Sequence, residues 1–296
     1  MNHAQPPRPR VFVVAQPGRE QHRKVGFNPS LSTETPSGTS FVDVRGRVQM
    51  GVDAAELESR LTAWVRWEAT ASAALVPTHA RQLRGPTRIV RPHKPNTPLN
   101  HQHQVTDPVL FDGPFIYSLT RQDRYERLRA LIPGDLVIFG ARSHRGFLLD
   151  TVFVVGQKHS HAQGRAKQPE GSTALQVSVG PLLQPADGLD DGAQLAQAKK
   201  AELERLSWYL GATPSSKIDG MFSFTPALPH DGTPKAFSRL VVSDCAGITN
   251  TMPVQYLQAA PRDVWCCLAE RTCASGLGLA TALHTWPHPA GLAPAA

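Results

Sequence analysis

Cysteine is absent from the first 244 residues of this 296-residue chain; the four present are Cys245, Cys266, Cys267 and Cys273. A disulfide framework holding the whole fold is therefore excluded, and a reducing cytoplasm is the expected compartment. No Cys-x-x-Cys pair occurs, and three of the four lie in the apolar run DVWCCLAERTC. Packed free thiols are expected there, against redox or metal chemistry as the alternative. No run of 18 apolar residues exists, so no membrane-spanning helix is expected. MNHAQPPRPR at the start has basic residues but no apolar stretch, which reads as a short leader (1–9) and not as a secretory signal. Acidic residues are missing between Glu68 and Asp107. GxGxxG after a strand, GxxxxGK[ST], GxSxG and HExxH are all missing, which weakens dinucleotide, P-loop, serine-hydrolase and zincin readings.

The charge that is present is segregated. Residues 1–105 hold 14 basic and 7 acidic side chains, residues 106–296 hold 17 of each, and the net charge of +7 falls in the first third. The acid-free window carries Arg81, Arg84, Arg88, Arg91 and Lys94, with His79, His93, His101 and His103. Such a field suits a polyanionic partner, the alternative being a solvated basic loop. Five prolines between Pro77 and Pro98 disfavour a helix, so an extended, wrapping arm is expected.

Along the chain, RVFVVA (10–15) and SFVDVRGRV (40–48) read as strands. Asp53, with Glu56 three residues on, resembles a capping box. Leu57, Leu61, Trp64, Val65 and Leu75 then predict a helix ending before Pro77, with Trp64 and Trp67 as packing residues. VLFDGPFIYSL (109–119) is strand-like with a turn at Gly113-Pro114, and a short helix is expected over 121–132. DLVIFG (135–140) and FLLDTVFVVG (147–156) predict an antiparallel hairpin with a basic tip at Arg142, His144 and Arg145. Further strands are expected at 175–179, 218–224 and 239–242, with helices at 191–210 and 261–273, the latter opened by Pro261. This irregular mixture predicts an α+β fold. It is read as one domain over 10–285, with a basic part (10–105), a part holding strands and helices (106–285) and a flexible tail (286–296).

Site candidates are sparse. His101 and His103, followed by Asp107, offer an HxH pair and a carboxylate, suited to acid–base catalysis; no second ligand pair has matching spacing, so no metal and no cofactor are expected. Phe111 and Tyr117 are among the strand aromatics, expected in the core or lining a pocket. Asp150, inside an apolar strand, is either a paired structural carboxylate or a pocket residue.

The hairpin PGDLVIFGARSHRGFLLDTVFVVG resembles the middle of small PUA-like β-barrels, the group that includes ASCH and EVE domains. KPNTPLNHQ, TDPVLFDGPFIYS, GDLVIFG with FLLDTVFVV, YLGAT with DGMFSF, and GLGLAT resemble the nucleotide modification associated domain proteins. The resemblance implies a PUA-like mixed β-barrel with flanking helices and a link to DNA base hypermodification. The expected function is binding or processing DNA or RNA in connection with modified bases. Arg81, Arg84, Arg88, Arg91, Lys94, Arg142, His144 and Arg145 are the expected nucleic-acid contacts. Asp107, Phe111, Tyr117 and Asp150 would line a pocket for an extruded base. A base-modifying enzyme is a further expected partner, and a membrane is not. The alternative is an enzyme acting on a free nucleotide or other small anion through His101, His103 and Asp107.

Overall fold

The structure is a computed structural model. It describes residues 8–16, 39–67, 71–76, 87–94, 106–160, 173–178, 205–249 and 251–287. The fold is mostly β: two six-stranded mixed sheets and few helices, where the sequence predicted α+β. The first sheet runs in the order β11 (Val254–Leu257), β1 (Val11–Ala15), β7 (Leu136–Ser143), β8 (Gly146–Ser160), β9 (Ser207–Gly211), β6 (Ile116–Tyr117). The second runs β12 (Gly278–His284), β10 (Thr225–His230), β3 (Leu57–Arg66), β2 (Thr39–Gln49), β5 (Thr87–Pro92), β4 (Ala71–Val76). Because β12 also pairs with β2, the strands β2, β3, β10 and β12 form a near-closed ring. Gly46 sits at that closure, where a Cβ would lie 2.2 Å from the carbonyl oxygen of Ala282, so no larger residue lets the two strands approach.

Side-chain alternation explains why the first sheet is central. Val11, Val13 and Ala15 face one core, while Phe12 and Val14 face the other; Leu136 and Ile138 alternate with Val137 and Phe139 in the same way. A strand buried on both faces reads as a continuous apolar run, as VFVVA and LVIF do. One core lies between the sheets. The other lies under the helix α3 (Pro261–Ala274), through Val264, Trp265, Leu268 and Ala269. The expected β7–β8 hairpin is present, pairing from Leu136↔Val154 to Ser143↔Gly146 with a register shift between Phe139 and Gly140. Asp135, at its start, is fully buried and accepts from Arg10 N at 2.6 Å and Arg10 Nη2 at 2.8 Å, tying β1 to β7. Pro261 stands at the first turn of α3, as expected.

Several elements differ from expectation. The helix predicted from Asp53 to Leu75 is instead strands β3 and β4. Strand β3 pairs with β2 at ten successive positions from Val48↔Leu57 to Thr39↔Arg66. Leu61, Ala63 and Val65 point into the main core while Trp64 meets Phe41 on the opposite face, at 5.0 Å between ring centres. Tertiary pairing overrode a local pattern compatible with both periods. Glu56 caps nothing; it accepts from Thr281 Oγ1 and lies 3.6 Å from Arg47. The strand expected at 175–179 is the short helix α2 (Thr173–Ser178). The end of the helix expected over 191–210 is β9, its earlier part lying outside the described residues. Of 121–132 only one turn, α1 (Glu126–Arg129), is helical. The strands expected at 218–224 and 239–242 reduce to single bridges, Ile218↔Met221, Val152↔Phe224 and Leu148↔Val241. Cys245 and Cys267 form a disulfide, which corrects the expectation of four free thiols; Cys266 and Cys273 are free. No described helix is long and apolar enough to cross a membrane.

Candidate functional site

The outer face of the second sheet carries a concentration of charge. In β2 the even positions Val42, Val44 and Val48 enter the core, so Phe41, Asp43, Arg45 and Arg47 face outward. Antiparallel register sets Arg45 opposite Arg60 of β3, and Arg60 opposite His230 of β10. Val42 pairs with Val90 of β5, which leaves Arg91 on the outer face. Guanidiniums from three strands thus share one face, and two of them, Arg60 and Arg91, meet on one carboxylate.

That carboxylate, Asp43, is fully buried. Its Oδ2 accepts from Arg60 Nη2 at 2.9 Å and Arg91 Nε at 2.8 Å. Its Oδ1 lies 3.3 Å from His230 Nε2, near enough for charge to act but without a hydrogen bond. Trp286 closes the cluster. Its indole Nε1 donates to Asp43 O at 2.7 Å, and its main chain pairs with Pro92 O and Lys94 N. The guanidinium carbons of Arg45, Arg60 and Arg91 lie 5.6, 5.4 and 5.5 Å from the centre of its ring, within cation–π range. Trp286 is therefore part of the fold, where the sequence reading began a flexible tail.

His230 reports on the same cluster. Its ring is closed off from solvent, and its Nδ1 accepts from Gly232 N at 3.2 Å. That bond places the proton of the neutral ring on Nε2, facing Asp43. Burial lowers the His230 pKa and Arg60 lowers it further, against an opposing pull from Asp43 and a smaller one from Asp231. The unfolded chain then takes up a proton below about pH 6.5 that the folded chain resists. This contribution to stability is complete above the unfolded pKa and is lost as pH falls through the lowered folded value. The urea midpoint of the native chain should fall more between pH 7.5 and 5 than that of His230→Gln; parallel decreases in both would assign the acid sensitivity elsewhere.

The predicted site residues are dispersed. Arg81, Arg84, His101 and His103 lie outside the described residues, and Arg88 stands on β5. Arg91 joins the cluster and Lys94 is exposed just beyond it. Arg142, His144 and Arg145 are exposed at the hairpin tip, with Arg142 Nη1 reaching Thr251 O at 3.5 Å. The four pocket candidates are buried. Asp107 has both carboxylate oxygens engaged by Ser118, Leu119 and Thr120. Phe111 packs against Trp67, with ring centres 4.8 Å apart. Tyr117 donates to Thr120 O at 2.7 Å, and burial, reinforced by Asp107, raises its pKa well above 10. Asp150 is ion-paired with Arg239. The structure thus places all four of these side chains in the interior. Among the described residues, no group of three or more His, Cys, Asp or Glu side chains is placed to hold a metal ion.

Arg45, Arg60, Asp43, His230 and Trp286 were missed as site residues. The alternation of FVDVRGRV was a usable signal for Asp43 and Arg45; reading β3 as a helix hid Arg60. Comparison with known proteins adds no identity: no family model, no curated protein and no solved structure matches this chain.

Proposed function

We propose that this chain is a nucleic-acid-associated protein that binds DNA or RNA through the outer face of its second sheet, in connection with modified or hypermodified bases. The observation that carries the reading is the convergence of Arg45, Arg60 and Arg91 on Trp286 with one buried carboxylate among them. Guanidiniums are permanently charged forks that match phosphate oxygens, and an aromatic ring beside them suits a base. Arg91 also belongs to the acid-free window, and the exposed hairpin tip adds further basic groups. The near-closed ring of strands is read here as the PUA-like barrel implied by the resemblance, which also supplies the link to modified bases and to a base-modifying enzyme as partner.

Titrating a labelled single strand, and the same sequence as a duplex, against the full chain at rising salt tests the reading. Log affinity should fall linearly with log salt, by about 0.7 per phosphate contact on the single strand and about 0.9 on the duplex. Replacing Arg45, Arg60 and Arg91 together with glutamine should flatten the slope by two to three such contacts. Binding that is absent at low salt, or a slope unchanged in the triple variant, would overturn the proposal.

A further inference from the structure

Resting on the nucleic-acid reading, we infer that the Arg45–Arg60–Arg91–Trp286 cluster takes a terminal phosphate monoester of a nucleic-acid strand in preference to its internal phosphodiesters. The first reason is shape. All three guanidiniums lie within 5.6 Å of the centre of the Trp286 ring, so they are gathered around one indole. A protein tracking a strand internally needs a row of cations, because the backbone presents successive single charges about 3.4 Å apart along each strand's axis.

The second reason is charge. Three guanidiniums against Asp43, with Asp231 acting on His230 from the side, leave a net positive cluster, and His230 adds none while its ring is neutral. An internal phosphodiester carries one negative charge. A phosphate monoester carries about 1.5 to 2 at neutral pH, with three strong acceptor oxygens, and so gains more than a diester from a net positive cluster of three forks.

The third reason is preorganisation. Asp43 Oδ2 holds Arg60 and Arg91 from the inside, while their side chains remain 31% and 44% exposed. Arg60 Nε is buried, but the partly exposed remainder of both guanidiniums is held in place before any ligand arrives, which lowers the ordering penalty of binding. Arg45 is exposed and has no carboxylate within ion-pair distance among the described residues. It is the arm of the cluster with a whole guanidinium to offer. Trp286 is partly exposed, and it is the aromatic side chain that these guanidiniums flank.

The test compares one ten-nucleotide single strand with a 5′-phosphate, a 3′-phosphate or hydroxyls at both ends, together with the mononucleotide dAMP, on the full chain. One phosphorylated strand should bind at least about tenfold tighter than the hydroxyl-ended strand, the worth of one or two charge-assisted hydrogen bonds. In Arg45→Gln the preference should shrink to about twofold or less, since a main part of the phosphate cradle is gone. Arg45 is solvent-exposed and outside the Asp43 ion pairs, so the variant keeps the fold; Arg91→Lys, which retains the charge but loses the fork, should give an intermediate preference. Equal affinity for all three strands, with binding still salt-dependent and weakened by the arginine substitutions, would overturn the end preference and leave the broader reading standing. No binding of any strand would overturn both. Binding of dAMP as tight as the phosphorylated strand would make a free nucleotide the ligand and overturn the strand-end assignment.

Discussion

Replacing Asp150 with alanine is expected to lower folding stability by about 3–5 kcal/mol, the range seen when one partner of a buried ion pair is removed. Arg239 donates to Asp150 Oδ1 from Nε at 2.8 Å and also from Nη2, and the two side chains are only 3% and 4% exposed. Without the carboxylate, a guanidinium that cannot lose its proton stays buried beside the Trp64 ring. For a chain of this size the melting temperature should drop by on the order of 10 °C. The double substitution Asp150→Leu, Arg239→Met removes both charges and should recover a substantial part of the loss. Thermal melting of the wild type, the single and the double variant distinguishes the causes. A double variant no better than Asp150→Ala would show that packing, and not the stranded charge, is what matters.

The second large effect is expected at Asp107. Its Oδ1 accepts from Ser118 N at 2.7 Å and Ser118 Oγ at 3.1 Å. Its Oδ2 accepts from Leu119 N at 3.0 Å and Thr120 N at 2.5 Å. One carboxylate therefore satisfies three consecutive main-chain donors in a segment that precedes α1. Asp107→Ala leaves all three without a side-chain acceptor, at about 1–3 kcal/mol for each donor that stays dry. A total loss of roughly 3–5 kcal/mol is expected once partial access to water is allowed for. Asp107→Asn should fall close behind, because its amide NH2 would face N–H groups at one of the two oxygen positions. Denaturant unfolding of both variants checks this. A midpoint shifted by less than about 1 kcal/mol in either would mean that the segment rearranges to find other acceptors.

The parts of the fold that were legible in the sequence are those where local pattern and tertiary environment agree. VFVVA and the LVIFG…FLLDTVFVV hairpin are buried on both faces, so a continuous apolar run allows no other placement at that length. Pro261 marks a helix start because its missing N–H belongs to a turn that needs none. Segment 53–75 and the end of the helix expected over 191–210 were misread because leucine and tryptophan at mixed spacing fit both a helix and a strand. What decided between the two was the presence of β2 and β8 as neighbours, and a local window holds no information about them.

The basic character of the site followed the same division. Composition placed the charge excess in the first third and drew attention to Arg91 and Lys94. It did not point to Asp43 as the centre, because a lone aspartate inside FVDVRGRV has no visible partner until β3, β5 and β10 lie beside it. Trp286 is 243 residues from Asp43 in the chain, yet its indole donates to the Asp43 carbonyl. By itself the sequence determined which segments must be buried and where charge accumulates, because hydrophobic burial and net charge depend on composition and short-range period. Only the tertiary structure decided which arginines share a carboxylate, which aspartates are interior struts and which tryptophan completes the cluster. Those contacts join strands distant in the chain, and strand register, set by long-range pairing, determines which side chains share a face.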